Sequence, residues 1–136
     1  MIRNERRGKS PRSAAERRIM LFVCYDRCTT CKKAEKWLNE NGIAYEKRDI
    51  KGENPTQEEL AAWNKMSGLP LSRFFNTSGQ LYRGMGLKDK LKEMTDEEKI
   101  KLLSTDGMLV KRPIAVGDGF VLVGFKEAEW AEKLQK

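Results

Sequence analysis

The sequence predicts an α/β domain: a βαβ unit first, then a helical stretch, then a closing ββα unit. Three observations carry this. The apolar run Met20-Leu21-Phe22-Val23-Cys24-Tyr25 reads as a buried strand and gives way at once to a helical pattern. Two capping boxes, Thr56 with Glu59 and Thr95 with Glu98, mark helix starts in the middle of the chain. Near the end, Ile114-Ala115-Val116 and Phe120–Val123 flank Gly117-Asp118-Gly119, a β-hairpin signal.

The elements follow in order. The first strand covers residues 20–25 and the first helix 29–41, with Ala34, Trp37, Leu38 and Asn41 at helical spacing and Asn41-Gly42 as its stop. Residues 43–50 form a second strand with Ile43 and Tyr45 on one face, and a βαβ crossover requires it to run parallel to the first. Asn54-Pro55-Thr56 opens a helix whose buried side carries Leu60, Trp63 and Met66 and which Gly68 ends. Residues 69–94 are less regular, with Phe74, Phe75, Leu81, Tyr82, Met85 and Leu87 scattered among turn residues. The helix opened by Thr95 runs through Ile100 and Leu103 to a stop at Gly107, and Glu127–Leu134 closes the chain with Trp130 and Leu134 inward. Beyond the first residues, no internal repeat or low-complexity segment is visible.

Chemistry concentrates at Cys28-Thr29-Thr30-Cys31, where the first strand hands over to the first helix. A C-x-x-C there puts its first sulfur on the free N–H groups of the helix start, where the macrodipole favours thiolate. Arg27, Lys32 and Lys33 stand nearby to favour it further. Cys28 is therefore the candidate nucleophile. Cys31, one turn on and on the Ala34/Leu38 side, is the more buried candidate partner. The spacing also fits zinc, but the chain has no histidine and three cysteines, short of the four Cys/His ligands of a structural site. Haem attachment fails because Lys32 follows Cys31, and histidine-dependent nucleophilic catalysis is excluded. No metal or cofactor is expected. Cys24, on the strand, reads as a buried thiol acting as a small apolar residue.

A βαβ unit carrying C-x-x-C, then helices, then ββα is a thioredoxin-like fold with an inserted helical lobe. In that fold the proline before the first hairpin strand is cis and faces the C-x-x-C. Pro113 takes that place, an ordinary trans strand-entry proline being the alternative. Pro113 and its backbone would hold a partner chain against the sulfur. Arg112 either stabilises an anionic group of the substrate or Cys28 itself, or pairs with a nearby carboxylate.

A length of 136 residues suits one domain with a real core. Residues 1–19 hold seven basic and two acidic residues, a balance of +5 that leaves +2 of the overall +7 to residues 20–136. That segment reads as a disordered basic extension, dispensable for function and without an aromatic residue for base stacking, so direct nucleic-acid binding is not expected. It lacks the apolar core of a secretory signal, and no run approaches the ~20 apolar residues of a membrane helix. An odd cysteine count fits a reducing cytoplasm, where a C-x-x-C is catalytic or sensing.

Cys28-Thr29-Thr30-Cys31-Lys32-Lys33-Ala34, Phe75-Asn76-Thr77-Ser78-Gly79, Met85-Gly86-Leu87 and Lys111-Arg112-Pro113-Ile114 together resemble the arsenate-reductase-like family, the ArsC/Spx group that includes the regulators Spx and MgsR. The resemblance spans residues 20–134. It implies a thiol–disulfide protein acting through Cys28, Cys31, Arg112 and Pro113, with a thiol or disulfide substrate and a small thiol, thioredoxin or glutaredoxin as reductant. It also implies an alternative, a redox-sensing regulator that binds the C-terminal domain of the RNA polymerase α subunit through a surface near Gly68. Gly68 is equally well explained as a helix cap. The arsenate reductases of the group carry a histidine where Cys24 stands and three arginines around the oxyanion. Of these only Arg112 matches, the others falling on Asn76 and near Gly124. Several guanidinium forks are needed for a dianionic oxyanion, so arsenate reduction is expected to be poor or absent.

Overall fold

A computed structural model describes residues 19–135; residues 1–18 of the basic extension lie outside them. Its centre is a four-stranded sheet in the order β2-β1-β3-β4. Strand β1 (Met20–Cys24) runs parallel to β2 (Tyr45–Asp49), with Met20 opposite Tyr45 and Cys24 opposite Asp49. Strand β3 (Ile114–Gly117) lies antiparallel to β1 and pairs with β4 (Phe120–Val123) through the two-residue turn Asp118-Gly119. Helix α1 (Thr29–Glu40) joins β1 to β2, and α6 (Glu127–Leu134) follows β4. The expected βαβ and ββα units are both present, and β2 is shorter than its apolar pattern suggests.

Strand periodicity sorts side chains onto two faces. Phe22, Cys24, Ala115 and Leu122 point to one, where they meet Cys31, Ala34, Trp37 and Leu38 of α1 and Trp130 of α6. Trp130 is fully buried, stands edge-on to Phe125 at 5.0 Å and to Phe22 at 6.2 Å, and donates its indole N–H to the Gly124 carbonyl at 3.0 Å. Val23, Ile114 and Val121 point to the other face, which the inserted lobe covers.

The lobe begins with α2 (Gln57–Ser67), opened by the Thr56/Glu59 capping box and closed by Gly68 at φ +70°. Its inner side carries Leu60 and Trp63. Met66, expected inward with them, is 42% exposed instead, because six residues on from Leu60 it stands about 120° round the helix from it. The irregular stretch resolves into a 3-10 turn (Leu71–Phe74), the short helices α3 (Gln80–Gly84) and α4 (Leu87–Lys90), and a second 3-10 turn (Leu91–Glu93). Helix α5 (Asp96–Leu103) starts at the second capping box but stops at Ser104, not at Gly107. Gly107 opens a 3-10 turn, and a Cβ there would collide with the Ile50 carbonyl, so the glycine serves close backbone approach and not helix termination.

Gly107→Ala is expected to lower stability by about 1–3 kcal/mol, because a backbone carbonyl cannot yield as a side chain does. Gly84→Ala, with open space around its Cβ, should stay within about 0.5 kcal/mol. Urea unfolding of the two variants checks the contrast.

Candidate functional site

The site is assembled where β1 ends. Cys28 is the N-cap of α1, in extended conformation, with its N–H on the Tyr25 carbonyl at 2.9 Å and its own carbonyl accepting from Lys32 at 3.1 Å. No side chain caps the first turn and no acidic residue lies in it, so the positive end of the helix is left to the Cys28 sulfur.

Cys28 is half-buried, and burial by itself raises its pKa. The backbone N–H of Cys31, the Cys31 thiol and the Arg112 guanidinium favour the thiolate more strongly, and the net shift is downward. Cys31 is buried, and burial first of all, with the neighbouring Cys28 charge, pushes its thiol up to about 12. The Tyr25 N–H points at the Cys31 sulfur from 3.4 Å and opposes that rise. Burial likewise pushes Cys24 up to about 11. All three are free thiols, and Cys28 is set apart as the acidic one.

Arg112 faces this pair from the segment leading into β3. The Arg112–Pro113 peptide is cis, and the Pro113 carbonyl accepts from Gly124 N–H at 2.8 Å. The expected alternative of a carboxylate partner for Arg112 is not met among the described residues. Its Nε and Nη1 are buried without any hydrogen-bond partner, and its guanidinium lies over the Tyr25 ring, 5.2 Å from the centroid. Arg27, Lys32 and Lys33, expected as the cations beside Cys28, are all exposed. In the sequence, Tyr25 reads only as the end of a strand. Nothing local marks it, since its contact with Arg112 joins residues far apart in the chain.

A cavity of about 250 Å³ opens beside Arg112, lined also by Asn76, Gly79, Gln80, Leu81 and Met108. Asn76 holds its place by donating its N–H to the Leu109 carbonyl at 2.8 Å and accepting the Ser78 hydroxyl at 3.3 Å. Gly124 has φ +77°, and a Cβ there would lie 3.2 Å from Lys111 Cε. An arginine at that position would be strained.

A mixed four-stranded sheet with C-x-x-C at the β1–α1 turn, opposite a cis Arg-Pro, defines the thioredoxin-like class of thiol proteins. The profile of the ArsC family matches residues 24–133, and the chain belongs to that family. It is 46% identical to YusI of Bacillus subtilis over 113 residues, covering 83% of this chain and 96% of YusI. It is 29% identical to the regulatory protein MgsR of the same organism, covering 81% and 86%. The crystal structure of an ArsC-family-related protein from Bacteroides fragilis superposes with a TM-score of 0.82 at 56% identity, over 83% of this chain and 95% of that one.

Alkylation followed across pH should modify Cys28 first, with a midpoint below the free value of about 8.5. Cys24 and Cys31 should follow only as pH approaches about 11 and about 12. Arg112→Ala should move the Cys28 midpoint upward, since it removes a cation that favours the charged form. Peptide mapping of the labelled sites reads both results.

Proposed function

We propose that this chain is a thiol–disulfide oxidoreductase of a reducing compartment, with Cys28 as nucleophile and Cys31 as resolving thiol. The observation that supports it best is the asymmetry of the pair: a half-buried Cys28 with lowered pKa against a buried Cys31 held protonated. The Cys28 thiolate attacks one sulfur of a substrate disulfide, forming a mixed disulfide and expelling the other sulfur as a thiolate that takes a proton. Cys28 then carries no charge, so one of the causes holding Cys31 protonated is gone. Cys31 gives up its proton and attacks the Cys28 sulfur, releasing the reduced substrate and leaving the Cys28–Cys31 disulfide. Two electrons from a small thiol, thioredoxin or glutaredoxin restore the dithiol. Pro113 and its backbone align the partner, and Arg112 stabilises the Cys28 thiolate or an anionic group of the partner.

The similarity to MgsR favours a second reading, in which the same disulfide toggles affinity for the RNA polymerase α C-terminal domain. Gly68 is exposed, and no atom lies within 4 Å of the point a Cβ would occupy, so it has room at such a surface. Arsenate reduction is the less fitting activity, since Asn76 and Gly124 stand where further guanidinium groups are needed.

Three measurements separate these. The Cys31→Ser variant should trap thiol substrates as mixed disulfides that a reductant releases. Capture of polymerase without a covalent bond would favour the regulator instead. For the regulator, Gly68→Arg should abolish binding to the α C-terminal domain while Gly68→Ala, equally strained at φ +70°, retains it. A glutathione- and glutaredoxin-coupled arsenate assay should show negligible turnover, and robust turnover lost in Arg112→Ala would overturn the oxyanion argument.

A further inference from the structure

Tyr25 touches all three functional groups of the site by three different routes. Its carbonyl accepts the Cys28 N–H at 2.9 Å. Its N–H points at the Cys31 sulfur from 3.4 Å. Its ring lies under the Arg112 guanidinium, 5.2 Å from centroid to Cζ. The first two contacts are made by backbone and tolerate any residue that keeps the turn. The third belongs to the side chain alone.

A buried arginine is ordinarily oriented by a carboxylate, which fills its fork and cancels its charge. An aromatic face orients the same group through its quadrupole and takes up none of the N–H donors. Arg112 is in that second condition: Nε and Nη1 are buried and unpartnered, and the guanidinium is stacked. The Tyr25 hydroxyl has no hydrogen-bond partner among the described residues, so the ring and not the phenol is the functional part. Tyr25 is half-buried and packs against the lobe-side core, which fixes the plane of the ring.

We propose that Tyr25 is a positioning residue, an aromatic platform that holds Arg112 against the Cys28 sulfur without taking up its N–H donors. This rests on the reading of Cys28 as the nucleophile. The charged and titratable groups around Cys28 are Cys31 from α1, Arg112 from the β3 lead-in, and Asp26 and Arg27 of the exposed turn. Only Arg112 is addressed by the Tyr25 ring.

The test follows alkylation of Cys28 by iodoacetamide across pH in the full chain, which needs no substrate. Tyr25→Leu is expected to slow the reaction at pH 7 about threefold and to raise its midpoint, by release of one cation–π contact. Tyr25→Phe should match the parent. In the Arg112→Ala background, Tyr25→Leu should add nothing, because the two act as one unit. Tyr25→Met, similar in bulk but without an aromatic face, replaces Tyr25→Leu if that variant does not fold. An unchanged profile in the non-aromatic variant overturns the proposal. So does a Tyr25→Phe profile as impaired as Leu, or an additive loss in the double variant. An ordinary Cys28 midpoint in the parent would instead overturn the nucleophile reading itself, a result distinct from the others.

Discussion

Helix α1 begins with N–H groups that no side chain satisfies, and their placement against the end of β1 is the constraint on which the site depends. The turn between them is four residues long and is closed by the Cys28 N–H on the Tyr25 carbonyl. The Ile50 N–H on the Cys24 carbonyl, at 2.9 Å, extends the β1–β2 pairing to the same point. A helix start exposed at the end of a central strand offers positive potential without any side-chain charge, and a cysteine at the cap receives it. Cys31, one turn further in, is carried below the surface by the same helix that lifts Cys28 to it. The difference between the two thiols is therefore a property of helix geometry more than of the residues around them.

Arg112 adds a cost that the rest of the fold has to offset. Leaving a buried donor unsatisfied costs about 1–3 kcal/mol, more for a charged group. The β3–β4 hairpin keeps it in place: Ile114 pairs with Val123 and the Pro113 carbonyl is tied to Gly124. Trp130, bonded to the Gly124 carbonyl and fully buried, anchors the same end of that hairpin. A rigid support of this kind maintains a destabilised group where a flexible loop would relax it.

Much of this is legible in the sequence because the signals are local. A capping box needs only four residues, and both boxes form as read. The C-x-x-C at the strand–helix junction, the hairpin turn and the Trp130 face of the last helix are also short-range patterns. Sequence and structure part where distant contacts decide. Gly107 resembles a helix stop, yet its function is to admit the Ile50 carbonyl from a different part of the chain. Met66 follows Leu60 and Trp63 at three-residue steps, and by the second step the turn of the helix has carried it off their face. The exposure of Arg27, Lys32 and Lys33 follows from a helix whose inner face is taken by Cys31, Ala34, Trp37 and Leu38. The pairing of Tyr25 with Arg112 has no sequence signature at all, since it depends on how the hairpin returns beside β1.

The two apolar clusters lie on opposite sides of a sheet only one strand layer thick, and they share no side chain. Cys24, Cys28 and Cys31 belong to the cluster under α1 and α6, whereas Tyr25 packs with the lobe. The chain is thus divided into a half that sets sulfur chemistry and a half that shapes the surroundings, and the Tyr25–Arg112 contact lies at their seam. Such a division lets the lobe drift in shape and recognition while the thiols keep their acidity, provided the stack at the seam survives.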